Sequence, residues 1–274
     1  MSFTFIGGGN MASALIGGLI ARGSRADAFR VIEPAAEQRA KLASRFAGIV
    51  PSESPRREAV EGAEVVVFAV KPQNMRDAAR AIAPWVAQAG VVLSIAAGIR
   101  TVDLSRWLGG YPRIVRAMPN TPALVGAGIS GVYAMPSVPA SAREAAVAIV
   151  AACGEVVACD REEELDLITG VSGSGPAYVF YFLEGLEQAA LDLGFDAARA
   201  RKLAYATFAG AMKLARQSDE SPDRLRANVT SKGGTTARAI ESLEAAHVKD
   251  AFVAAVKAAA ARARELGDAL GRDD

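Results

Sequence analysis

Ile6-Gly7-Gly8-Gly9-Asn10-Met11-Ala12 reads GxGxxA directly after a short apolar run and at the start of a helical pattern. Gly7 permits a tight turn, Gly9 lets backbone approach a pyrophosphate, and the small Ala12 allows the helix to pack closely on the strand. A phosphate then rests against the unpaired amides of the helix N-terminus. Glu33 follows 21 residues after Ala12, where an acidic side chain accepts hydrogen bonds from an adenosine ribose and favours NAD. Arg56 and Arg57 open a later helix and could instead meet a ribose phosphate, which favours NADP. All three also read as solvated surface charges, so these residues leave the choice open.

Further chemistry gathers at three loops. Ala69-Val70-Lys71-Pro72 closes an apolar run, where Lys71 could touch a nucleotide or merely leave a buried strand before Pro72 opens a helix. Met118-Pro119-Asn120-Thr121-Pro122 is stiffened by two prolines, and Asn120 offers a donor and an acceptor; a structural turn explains it equally well. Asn228-Val229-Thr230-Ser231-Lys232-Gly233-Gly234-Thr235-Thr236 leads into a helix extending to about Leu243. Its glycines and hydroxyls can turn several amides toward one anion, such as a carboxylate. The alternative is a capped helix after a flexible turn. Glu162, Glu163 and Glu164 read as a first-turn acidic cluster, and the single histidine, His247, as a surface helix residue.

The elements that position these loops follow from hydrophobic patterning. Phe3 to Ile6, Phe29 to Ile32, Val65 to Val70, Val91 to Ile95 and Ile114 to Ala117 are nearly continuous apolar runs, as in parallel strands covered on both faces. Helices at about 10 to 22, 35 to 46, 73 to 83 and 101 to 108 supply the crossovers. The expected fold is α/β: a Rossmann-like doubly wound dinucleotide-binding domain over 1–160, then an all-helical domain over 161–274. In the second half Ala177 to Phe182 is apolar or aromatic throughout, which suits a helix buried between helices across a dimer interface. Ser221-Pro222 reads as an N-cap followed by proline at the first helical position, and Asp250 to Leu266 as an amphipathic helix.

Composition narrows the partners. Lys and Arg total 31 against 30 for Asp and Glu in 274 residues, which leaves no basic excess for nucleic acid and points to a small molecule. Cys153 and Cys159 match neither a zinc pair nor a CxxC motif, so reduced thiols and no metal are expected. Ser2 to Ala21 is uncharged, but it lacks a basic start and is broken by five glycines and Asn10; strand, turn and helix explain it better than a signal or membrane segment. A cytoplasmic protein is the expectation.

Together with Val171-Ser172-Gly173-Ser174-Gly175-Pro176-Ala177-Tyr178, these motifs resemble the 1-pyrroline-5-carboxylate reductase family across nearly the whole chain and in the family's order. The resemblance implies that Ser231, Gly234, Thr235 and Thr236 surround the substrate, with Asn228 nearby and Glu162 as a further contact. It implies that Gly7, Gly9, Asn10, Met11, Ala69, Val70, Lys71, Pro72 and Asn120 hold NADPH or NADH, beside Ala12, Glu33 and Arg56, which the residues themselves offer as cofactor positions. It also implies a homodimer with interlocked helical halves that assembles further, so that the glycine turn is one half of a site completed by the helical domain. Two residues depart from the family pattern: Lys232 replaces the usual proline, and Arg56 replaces a frequent asparagine, which tilts the cofactor toward NADPH.

The implied reaction is hydride transfer to a cyclic imine carbon, with the Ser231 to Thr236 loop anchoring the carboxylate and the Thr236 hydroxyl, the one catalytic group, orienting the imine nitrogen. A protonated imine becomes a neutral amine, so no catalytic His or Cys is required. Two other readings compete. A 3-hydroxyacid dehydrogenase needs a catalytic lysine on the helix after Gly175, and no lysine occurs there through Leu193. A dinucleotide-binding regulatory or scaffold protein without turnover has no need of a second anion loop.

Overall fold

The computed structural model describes residues 1–271; the last three positions of the expected helical domain lie outside the described residues. Seven strands form one sheet: β1 (Phe3–Ile6), β2 (Phe29–Ile32), β3 (Val65–Phe68), β4 (Val91–Ser94), β5 (Ile114–Met118), β6 (Gly128–Ala134) and β7 (Gly154–Ala158). Their order is β2-β1-β3-β4-β5-β6-β7, and every neighbouring pair is parallel except β5 and β6. The helices among the described residues begin with α1 (Asn10–Ala21), α2 (Ala36–Arg45), α3 (Arg57–Val60), α4 (Met75–Val86), α5 (Thr101–Trp107) and α6 (Ala140–Ala151). They continue with α7 (Glu164–Ile168), α8 (Gly175–Asp192), α9 (Ala197–Arg216), α10 (Pro222–Asn228), α11 (Thr235–Ala245) and α12 (Val248–Leu270).

The chain forms two compact units, one of Met1–Ser174 with the segment from Ala258 onward, the other of Gly175–Lys257. The first unit runs past residue 160 to Ser174, and the end of α12 belongs with it. Within that unit the period of two along each strand feeds two cores. Val65 and Val67 join Phe3, Phe5, Leu93 and the α1 residues Leu15 and Ile16 on one face. Val66 and Phe68 join Val92, Ile114, Met75, Ile82 and Leu104 on the other. Each such fully buried side chain contributes roughly 1.5–3 kcal/mol, so both faces must be covered, which is the doubly wound arrangement.

Two strands go beyond the sequence reading. β6 carries Gly128, Ser130 and Gly131, which break an apolar run, and β7 is a partly exposed edge. A Cβ at Gly131 would lie 3.0 Å from Leu165, so this glycine makes room for α7 inside a strand. The Val65 and Val91 strands end at Phe68 and Ser94, short of the expected Val70 and Ile95. His247 corrects another expectation: it is exposed but sits in the turn between α11 and α12 at φ +51°, not within a helix. Ser221 precedes α10 as expected, with no side-chain capping bond.

In the second unit, Ala177 to Phe182 lies on α8. Tyr178 and Phe182 pack edge-on against Phe252 of α12, with centroids 5.7 and 5.6 Å away. Val179, Phe180 and Tyr181 are 50%, 56% and 72% exposed in the single chain, so much of this apolar surface lacks an intrachain cover. No helix among the described residues is long and apolar enough to cross a membrane.

Candidate active site

The strand order reverses at β1, which lies between β2 and β3, and ligands of open parallel sheets bind outside the carboxyl ends at such a point. Gly7 leaves β1 there at φ +97°, with its amide donating to the Ile32 carbonyl at 2.8 Å. Ala69 leaves β3 alongside and donates to the Ile6 carbonyl at 2.8 Å. A Cβ at Gly7 would lie 2.6 Å from the Ala69 oxygen, so only glycine permits the two loops to meet. Gly9 caps α1 with no atom within 4 Å of where a Cβ would stand, which leaves an open cradle over the helix end. The first turn of α1 has neither an acidic residue nor a side-chain cap, so its amides suit an anion. Asn10 is exposed there, Met11 half-buried, and Ala12 fully buried under the helix.

Glu33 turns back onto this loop. One carboxylate oxygen accepts from the Gly8 amide at 2.8 Å and the other from the Ala35 amide at 2.9 Å. Gln38 Nε2 donates to the Gly8 carbonyl at 2.6 Å, so both backbone groups of Gly8 are held. Arg56 is exposed at the entry to α3, while Arg57 spends its guanidinium on Glu61 at 2.7 and 3.0 Å. Lys71 is exposed where Pro72 opens a short 3-10 turn, and Val70 is half-buried.

Asn120 is buried beyond β5. Its Nδ2 donates to the Ser172 carbonyl at 3.1 Å, and its Oδ1 accepts from the Ile129 amide at 3.0 Å. The side chain therefore staples the Met118 to Pro122 loop to β6 and to Ser172. Glu162 is equally committed: it accepts from the Thr101 amide at 2.7 Å, the Thr101 hydroxyl at 2.8 Å and the Arg116 guanidinium at 2.5 Å. Nearby, Arg100 donates to Asp166 at 2.7 Å and lies 3.6 Å from Asp268. Burial pulls the Arg100 guanidinium down, but the bond to Asp166 and the charges of Asp166, Glu162 and Asp268 outweigh it and hold its pKa above the ordinary value. Sequence reasoning missed Arg116, Arg100, Asp166 and Gln38. An arginine inside the otherwise apolar β5 was the visible signal, since a buried charge demands a partner.

In the second unit, α10 ends at Asn228, whose Nδ2 donates to Glu220 at 2.6 Å. The Thr230 hydroxyl donates to the Arg226 carbonyl at 2.6 Å. Ser231 accepts from the Gly234 amide at 3.0 Å across a tight turn with Gly233 at φ +70°. Gly234 then caps α11, which has no side-chain cap and no acidic residue in its first turn. Ser231 and Thr235 are exposed and Thr236 half-buried, so the loop gathers hydroxyls around a helix end that suits a carboxylate. Among the described residues no group of three or more His, Cys, Asp or Glu could hold a metal. Cys153 is buried, donates to the Ala14 carbonyl at 3.1 Å, and has its thiol pushed up by burial.

Two family models match the chain: pyrroline-5-carboxylate reductase dimerisation over residues 162–266, and NADP oxidoreductase coenzyme F420-dependent over residues 2–98. A pyrroline-5-carboxylate reductase of Pseudomonas aeruginosa is 44% identical over 269 residues, covering 98% of this chain and 97% of that protein. The structure of a pyrroline-5-carboxylate reductase from Coxiella burnetii superposes with a TM-score of 0.89 at 37% identity, covering 97% of this chain and 98% of the other. That of the Plasmodium falciparum pyrroline carboxylate reductase with NADP bound gives 0.85 at 28% identity, covering 97% and 98%. Neither the hydroxyacid dehydrogenase nor the scaffold reading is favoured by these relatives. The chain belongs to the pyrroline-5-carboxylate reductase family, nicotinamide-dependent oxidoreductases of proline synthesis.

Proposed function

We propose that the two glycine-capped helix ends divide the work of reducing 1-pyrroline-5-carboxylate to proline: α1 receives the dinucleotide pyrophosphate and α11 the substrate carboxylate. The reading rests on one shared feature, that each helix starts at a glycine with no side-chain cap and no acid in its first turn. Gly7, Gly9, Asn10, Met11 and Ala12 hold the pyrophosphate, with Ala69, Val70, Lys71 and Pro72 along the adjoining edge. When bound, the nicotinamide supplies hydride for the imine carbon. Ser231, Gly234 and Thr235 fix the carboxylate, and the Thr236 hydroxyl orients the imine nitrogen. Because the product nitrogen is neutral until it takes a proton from water, positioning carries much of the catalysis.

Four assigned residues take structural forms of these roles. Glu33 shapes the glycine turn through Gly8, and Asn120 fixes the loop beyond β5. Glu162, with its oxygens engaged by Thr101 and Arg116, positions the surrounding elements, and Asn228 ties the end of α10 back to Glu220, just before that helix. With the Glu33 carboxylate turned inward and Arg56 exposed, NADPH is preferred over NADH. The exposed apolar face of α8 supports a homodimer that assembles into a larger homo-oligomer. A cytoplasmic location goes with this reading.

The test is oxidation of NADPH and of NADH, measured separately with and without 1-pyrroline-5-carboxylate. Substrate-dependent oxidation with a higher kcat/KM for NADPH is expected. Folded, oligomeric protein that oxidises neither nucleotide would overturn the reading.

A further inference from the structure

We propose that Lys232 is a specificity-determining residue, an uncompensated cation that draws the substrate carboxylate to the Ser231 to Thr236 loop. The inference rests on the assignment of that loop to the substrate carboxylate.

Lys232 is the second residue of the turn closed by the Gly234 amide and the Ser231 carbonyl, with Gly233 third at φ +70°. A positive φ at the third position marks type II geometry, for which proline is favoured at the second because its ring already holds the required φ. Lysine leaves that φ unrestrained. Its distinctive contribution to the turn is therefore charge.

That charge is locally unbalanced. Of the four basic residues between positions 224 and 238, Arg224 lies 4.0 Å from Glu220, Arg226 3.0 Å from Glu244 and Arg238 3.7 Å from Glu241. Lys232 makes no ion pair with any described residue, and it is exposed. The first turn of α11 adds no acid to offset it. Its field therefore adds to that of the helix end, and both act on an incoming carboxylate within a Debye length of about 8–10 Å. A hydrated ammonium on a flexible stem acts by attraction more than by a fixed bond. The effect belongs in KM and its salt dependence, with the chemical step left to the other loop residues.

Steady-state kinetics of the full-length enzyme at saturating NADPH, at low and high potassium chloride, test this. In the unmodified enzyme KM for 1-pyrroline-5-carboxylate should rise several-fold with salt. Lys232→Gln should raise KM about threefold or more at low salt and flatten the salt dependence, with kcat within about twofold. Lys232→Arg should restore both the KM and the salt response. Lys232→Pro removes the charge while stiffening the turn, and should share the defect of Lys232→Gln; a normal KM in the proline variant would assign the position to rigidity and overturn the proposal. Ser231→Ala separates this from the underlying assignment. If Ser231→Ala raises KM while Lys232→Gln leaves KM and salt response unchanged, the Lys232 proposal fails alone; if neither moves KM, the loop assignment fails with it.

Discussion

Gly7 and Gly233 both hold φ in the left-handed region, at +97° and +70°, but in opposite surroundings. A Cβ at Gly7 would strike the Ala69 carbonyl at 2.6 Å, whereas one at Gly233 would meet nothing within 4 Å. The first turn is wedged between two strand ends, with both backbone groups of the next residue held by Glu33 and Gln38. The second is exposed, and its shape comes from a single bond across the turn and from the bracing of Thr230. The difference teaches how each turn is held ready for the anion proposed for it: one is preorganised by tertiary packing, the other by the local sequence at a helix start. A cofactor common to many enzymes meets a rigid turn. In the proposed division of work the particular substrate meets the exposed loop, where side chains such as Ser231, Lys232 and Thr236 would confer selectivity.

The largest effect is expected from the buried charges that stiffen the first unit. Glu162→Ala would leave Arg116 buried without its counter-charge and should cost roughly 3–5 kcal/mol in urea unfolding. A loss below about 1 kcal/mol would mean that water or neighbouring groups replace the carboxylate. Gly7→Ala should come next: left-handed strain and the clash with Ala69 together should cost about 2–4 kcal/mol and abolish measurable NADPH binding in a fluorescence titration. Gly233→Ala meets only the backbone penalty, about 1 kcal/mol, and should raise KM for the imine while leaving NADPH affinity intact. Equal damage from the two glycine substitutions would break the contrast between a packed turn and an open one.

How far the fold could be read from sequence follows the same contrast. β1 to β5 were legible because strands buried on both faces are continuously apolar. β6 was not, because a glycine that admits α7, as Gly131 does, looks in sequence like a glycine that makes a turn. Arg116 stood out in its strand, but nothing local identifies Glu162, 46 residues away, as its partner. Glu33 sits where a ribose acceptor belongs, and only the folded chain turns it onto the amide of Gly8, 25 residues earlier. Asn120 likewise finds Ser172 only through tertiary structure. The Ser231 to Thr236 loop was more fully legible because turn, glycines and helix start are contiguous.

The division of labour between the two turns is tested most directly by Thr236→Val, with turnover and NADPH affinity measured on the same folded preparation. If the hydroxyl orients the imine nitrogen, kcat should fall on the order of tenfold or more while the Kd for NADPH stays within about twofold. A near-normal kcat, or a loss of NADPH affinity that matches the loss of rate, would contradict the assignment of the α11 loop to the substrate.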